Sequence, residues 1–193
     1  MLKDFEVRKS LIQYLHTKYK EDKETKIVNE MGICFGQSRI DVATINGILH
    51  GYEIKSESDT LVRLPSQMKD YNKVFERMTI VVSQKYLDKV RLMIPSWWGI
   101  IVVRNKGGEA ILKEIRKGRK NKNVNPYAVS QLLWKEEALQ ILENKGLQRG
   151  FLSKPKRVIL EHLSRSLQIE ELQENVNLQL KQREGWKDHV QLM

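Results

Sequence analysis

The chain has 193 residues, 34 of them basic and 24 acidic, for a net charge of +10, and 40% are hydrophobic. That is enough apolar material for one good core with a helical extension, or for two small units, and the charge suits a polyanionic partner or an anionic membrane surface. No stretch approaches the roughly 18 apolar residues needed to span a bilayer and no signal core opens the chain, so a soluble, cytoplasmic protein is expected. The single Cys34 excludes an intramolecular disulfide, and the scattered His16, His50, His162 and His189 lack zinc-ligand spacing. No Walker loop, dinucleotide-binding glycine signature or nucleophile-elbow serine occurs, so no organic cofactor is expected and any metal should be held by oxygen.

In chain order, Phe5, Leu11, Ile12, Leu15 and Tyr19 recur at helical spacing from Asp4 to about Lys20. A short strand at Ile27–Glu30 follows, then an irregular connection between Gly32 and Gly36. Ile40, Val42 and Thr44 alternate with Arg39, Asp41 and Ala43. Beyond Asn46-Gly47, Ile48, Tyr52 and Ile54 alternate with Leu49, Glu53 and Lys55. A two-residue Asn-Gly turn would set odd residues against even ones and scatter the apolar face. The pattern therefore predicts a three-residue loop with Gly47 left-handed, or a bulge near Gly51, placing Asp41, Glu53 and Lys55 together on the polar face. The plainer reading is an ordinary hairpin whose outer face carries charges.

A loop at residues 56–60 leads to a helix over Gln67–Phe75, with Pro65 in its first turn. Met78–Ser83 reads as a buried strand, Tyr86–Met93 as a helix, Gly99–Val103 as a strand, and Glu109–Ile115 as a last strand. The class is α/β, a mixed sheet flanked by helices. Three regions are expected: a core over residues 1–116, a basic linker over 117–126, and a helical C-terminal extension over 127–193. Helices are expected over Tyr127–Asn144, Lys154–Ser166 and Ile169 to about Glu184, and a homodimer through them is left open.

Gln67 and Tyr71, four apart on one helix face, could meet a phosphate and a base beside the charged hairpin, though Tyr71 could equally pack with Val74 and Phe75. Glu30 is a further carboxylate or a surface charge, and Arg39 a phosphate contact or a salt-bridge partner. His50 has the parity of a core residue, and Trp97-Trp98 are placed to plug the core. Lys117, Arg119, Lys120, Lys122, Lys154, Lys156 and Arg157 are nucleic-acid contacts or a solvated charged face.

Gly36-x-x-Arg39-Ile40-Asp41, then Gly51-Tyr52-Glu53-Ile54-Lys55, then Gln67-x-x-x-Tyr71 resembles the PD-(D/E)XK nuclease superfamily, in its RecB-like branch. With Arg63-Leu64-Pro65 and Pro95-x-Trp97-Trp98-Gly99, the pattern resembles a group of small bacterial and phage proteins in that superfamily over about residues 1–145. Ile40 stands where the superfamily name has proline, and Cys34 alone rules out the iron–sulfur cluster of some relatives. The resemblance implies a restriction-endonuclease-like fold and a magnesium- or manganese-dependent deoxyribonuclease. Asp41, Glu53 and the Ile54 carbonyl would ligate metal, Glu30 is a further candidate ligand, and Lys55, Gln67 and Tyr71 would complete the catalytic set. The alternatives are a non-catalytic nucleic-acid-binding or interaction module, and an RNA-directed defence or toxin nuclease.

Overall fold

The computed structural model describes residues 2–184; His189 lies outside them. The described elements run α1 (Asp4–Lys18), β1 (Lys26–Ile33), β2 (Ser38–Ile45), β3 (Leu49–Lys55), α2 (Leu64–Val74), β4 (Arg77–Ser83), α3 (Leu87–Met93), β5 (Gly99–Lys106) and β6 (Glu109–Arg116). Four helices follow: α4 (Pro126–Ser130), α5 (Lys135–Asn144), α6 (Lys156–Ser166) and α7 (Ile169–Gln182). The strands form one six-stranded sheet in the order β1-β2-β3-β4-β5-β6. β1, β2 and β3 pair antiparallel, β3, β4 and β5 parallel, and β5 and β6 antiparallel, so the α/β class read from the sequence holds. No described helix is long and apolar enough to cross a membrane.

The β2–β3 connection is the three-residue loop Asn46-Gly47-Ile48, with Gly47 at φ 90 and Val42 opposite Tyr52. Matching parity follows from that loop, as the alternation required. The expectation of one buried and one polar face is corrected, because both faces of the sheet are covered. Val42, Tyr52 and Ile54 pack with Val7, Leu11 and Leu15 of α1. On the other face Ala43, Ile45 and Leu49 join Tyr71, Val74 and Phe75 of α2. Parallel strands reached by helical crossovers are covered on both sides, and every residue of β3 is buried. In α1, Phe5 is 69% exposed and Val7 takes the buried position assigned to it.

Trp98 is fully buried, its indole N–H donating to Asn72 Oδ1 at 2.9 Å, while Trp97 is only partly buried against the same core. His50 is buried too, with Nε2 2.8 Å from Thr79 Oγ1, and burial lowers its pKa to about 3, so it stays neutral.

Residues 117–126 lie along the sheet end. The Arg119, Asn121 and Asn125 N–H groups donate to the carbonyls of Trp97, Glu76 and Lys73, each at 2.8 Å, and the Asn121 amide donates to the Asn72 and Phe75 carbonyls. The single helix expected over Tyr127–Asn144 is instead two, α4 and α5. Asn125 caps the first by accepting from Ala128 N–H, and Glu137 starts the second by accepting from Trp134 N–H at 2.6 Å. Val129, Leu133, Ile141, Leu160, Leu163 and Leu172 of this helical region fall in the same apolar cluster as the sheet.

Gly99 opens β5 where Gly118 crosses it. A Cβ there would meet Thr79 Oγ1 at 2.6 Å, Gly118 N at 2.8 Å and Arg116 O at 3.1 Å. Two of those three are backbone atoms and cannot swing aside. Gly99→Ala is expected to cost about 1–3 kcal/mol of stability, measured by urea unfolding; an unchanged midpoint would show that residues 117–119 yield freely.

Candidate functional site

Strand register places three carboxylates in one row. Asn29 pairs with Val42 and Met31 with Ile40, which sets Glu30 against Asp41; Val42 pairs with Tyr52, which carries Asp41 to the level of Glu53. Pairing lapses at this row: β1 and β2 skip Glu30 and Asp41 before resuming at Met31 and Ile40, and β2–β3 pairing ends at Val42 and Tyr52. Glu30 has φ 54, and the Ile54 N–H donates to Asp41 Oδ2 at 2.7 Å instead of to a strand carbonyl. The row lies at the C-terminal end of β3, and a cavity of about 570 Å³ opens there, lined by Glu30, Arg39, Asp41, Glu53, Lys55 and Gln67 among others.

Arg8 of α1 reaches into the row. Its guanidinium donates to Asp41 Oδ1 at 3.0 Å, Glu30 Oε1 at 2.5 Å, Asp4 Oδ2 at 3.0 Å and the Asp41 carbonyl at 3.2 Å. Arg39 holds the other Glu30 oxygen at 2.6 Å. On the α2 side Lys55 Nζ lies 2.6 Å from Glu53 Oε1 and donates to Gln67 Oε1 at 3.1 Å. The Tyr71 hydroxyl is 2.7 Å from Glu53 Oε2 and 2.9 Å from the Arg39 carbonyl, and accepts from Gln67 Nε2 at 3.2 Å. Asp41, Glu53, Lys55, Gln67 and Tyr71 are thus one connected network, with Tyr71 beneath the cavity wall.

Burial, and next the charge of Glu53, push the Asp41 carboxyl up to about 7, against the opposing pull of the Ile54 N–H and Arg8. Burial and Glu53 also raise the Tyr71 phenol, which remains a protonated donor. Glu53 and Lys55 have side chains only 2% and 6% exposed, so their 2.6 Å contact is a desolvated ion pair.

In the folded chain the carboxylate oxygens of this row are engaged by the protein's own donors. A protein donor faces each oxygen of Asp41 and Glu53, the Ile54 N–H among them, and Arg8 stands between Glu30 and Asp41. Among the described residues no group of three His, Cys, Asp or Glu side chains is disposed to hold a metal. The row's negative charge is balanced internally by arginine and lysine.

The basic residues divide. Gly118 sits against Met78 O and Gly99 N, and Lys120 lines a cavity with Gly47, so residues 117–122 lie at the hairpin-loop end of the sheet. Since Gly51 pairs with Met78 and Glu53 with Ile80, Gly118 lies about 7 Å along β3 from the carboxylate level, and none of residues 117–122 lines the carboxylate cavity. Lys117, Arg119, Lys120 and Lys122 therefore do not share the carboxylate cavity. Lys156 and Arg157 are nearer: they line a second cavity of about 780 Å³ that shares Gln37 with the first. Lys154 is exposed on the turn before α6.

Arg8 and Asp4 were missed by sequence reasoning, as were Gln37, Asp59 and Arg63 of the cavity lining. A signal for Arg8 exists. It lies four residues before Ile12 and four after Asp4, so a cation occupies the flank of the buried helical stripe with an acidic neighbour.

Comparison with known proteins supplies the family. A model described as Bacteriophage P4 protein cII matches residues 1–191. The chain is also 32% identical over 183 residues to "Protein cII" of Enterobacteria phage P4, covering 95% of this chain and 68% of the relative. The chain belongs to the bacteriophage P4 protein cII family. The phage side of the resemblance is thereby supported, while the deoxyribonuclease expected from the motifs is overturned: both the cII family and the relative are described as protein cII and not as a nuclease. The acidic and lysine residues have the order that prompted that expectation, but neither description names a cutting activity. No solved structure matches this cII-family chain.

Two predictions concern the network. Lys55→Met leaves the Glu53 charge buried and is expected to cost about 3–5 kcal/mol; combining it with Glu53→Gln should cost less than the sum of the single changes in a double-mutant cycle by urea unfolding. Because the folded Asp41 pKa lies above the roughly 3.9 of an unfolded aspartate, the stability linked to its proton is full below about pH 4 and is lost as pH rises through 7. Carbon-detected NMR should show Asp41 titrating near 7 in the wild type and lower in Glu53→Gln; an unchanged midpoint would remove Glu53 as a cause.

Proposed function

We propose that this cII-family protein is a nucleic-acid-binding protein that uses a restriction-endonuclease-like sheet as a scaffold for binding. Support for that fold is the order of elements: a helix, three antiparallel strands, a crossover helix and a parallel strand, with Asp41, Glu53 and Lys55 at the end of the central strands. The carboxylate–lysine cluster, neutralised from within, braces the rim of the binding face.

The observation that carries the proposal is the second cavity. Lys73, Lys156 and Arg157 line it against one carboxylate, Asp70, which is already held by Ser38 and Lys73. Among the described residues, Lys156 and Arg157 form no ion pair of their own, so their charge is free for phosphate. A net charge of +10 would concentrate a polyanion around the chain and steer it to this face.

Fluorescence anisotropy with labelled DNA and RNA is the test. Affinity should fall linearly in log–log form with salt. The doubly substituted Lys156→Gln, Arg157→Gln protein should lose about 1.4–1.8 from the magnitude of that slope, two phosphate contacts' worth. Lys120→Gln, at the other end of the sheet, should leave the slope as it is. Absence of binding at low salt would sink the proposal.

A further inference from the structure

The second cavity has a floor as well as a rim. Phe35 is 55% exposed, unusual for a ring that size, and it stands 6.4 Å from Tyr127, centroid to centroid, with the planes at 64°. Phe35 lines the cavity, and more than half of the residue is open to solvent. Cys34 and Ala128 continue the apolar floor, and the rim carries Lys73, Lys156 and Arg157.

The backbone commits Phe35 to this position. Cys34 and Phe35 have φ of 51 and 55, followed by Gly36 at 83, three left-handed residues in succession, of which only the last is glycine. Bulky side chains rarely adopt that conformation, and where the surrounding structure enforces it the cause is sought in function. Here it is enforced by the turn in which Gln37 N–H donates to the Cys34 carbonyl and by Ile33 and Cys34 buried before the ring and Ile40 after it. The outcome is an aromatic ring held out to solvent between cations.

We propose that this cavity takes single-stranded nucleic acid, an unpaired base stacking on Phe35 while its flanking phosphates meet Lys156 and Arg157. The inference rests on the nucleic-acid-binding reading and narrows it. A base within a duplex already has neighbours on both faces and cannot stack on a side chain, whereas a splayed base can. An aromatic platform inside a cationic groove is the combination that binds single strands without reading sequence. The volume of about 780 Å³ lies in the range of sites that enclose small ligands, enough for a base and its sugar. Gln37, shared with the carboxylate cavity, lies where the strand would leave the basic groove. The neighbouring row of carboxylates would repel phosphate there and so mark the groove's limit.

The test compares wild type, Phe35→Ala, Phe35→Trp and Lys156→Gln by anisotropy on a twelve-nucleotide oligothymidine, the matching oligouridine and a DNA duplex of equal length. Phe35→Ala should weaken single-strand binding roughly five- to hundred-fold and change duplex binding less than two-fold, and Phe35→Trp should restore it. A loss on either the DNA or the RNA strand supports the proposal, and their ratio identifies the sugar preferred. Equal losses on single strand and duplex, or no loss on either, overturn it. If Lys156→Gln weakens binding and Phe35→Ala does not, the base site fails while the nucleic-acid reading stands. If wild type binds none of the three, both fail.

Discussion

Three carboxylates drawn to one level of a sheet would force its strands apart unless cations reached them, and the central structure depends on the two least exposed of these, with Arg39 at the surface as a third. Arg8 comes from the helix above the sheet, Lys55 from the strand that carries Glu53. Neither charge could remain buried alone, since the cost of desolvating an unpaired ion exceeds what nearby packing supplies. Arg8 at the same time ties α1 to the sheet, because its guanidinium meets Glu30 of β1 and Asp41 of β2 while Asp4 of its own helix steadies it. Packing of Val7, Leu11 and Leu15 then follows the same line.

Interruption of strand pairing at that row is what makes a cavity there. Elsewhere the β2 and β3 backbones satisfy one another; at Asp41 the side chain takes the Ile54 N–H, and the strands part. A left-handed Glu30 on β1 continues the same break. The functional face thus arises from backbone groups that a regular sheet would have consumed, with the Phe35 turn placed beside it by the next stretch of chain.

Much of this was legible in the sequence. Parity of the hairpin, argued from alternation alone, demanded an odd loop, and Gly47 supplies it. The order of strands and helices to β6 was also readable, since each apolar run is bounded by glycine, proline or a polar break. What alternation could not reveal was that the odd-numbered face would be covered too: Ala43 and Leu49 look like surface positions until α2 and the C-terminal helices are laid over them. Residues 131–134 hid a break for a similar reason. Gln131-Leu132-Leu133-Trp134 continues a helical pattern of apolar residues, and only the Glu137 cap, a local contact held in place by the distant Arg183, restarts the helix. The motif residues were found, yet Arg8 and Asp4 beside them were missed, and with them the internal ion pairs of the row. Spacing reports which side chains converge, while Arg8, from a distant helix, decides whether their oxygens are free.

Arg8 serves three carboxylates from three segments, so its position cannot drift on its own. A neutral residue there would leave Asp4 and Asp41 without their cation and Glu30 with Arg39 alone, and a change in any one of them would leave the guanidinium short of a partner. Across descendants of a common ancestor these four sites should therefore change in concert, exchanging charge for neutrality as a set. Covariation among positions 4, 8, 30 and 41 would be the historical trace of a bridge that the folded chain makes with one side chain.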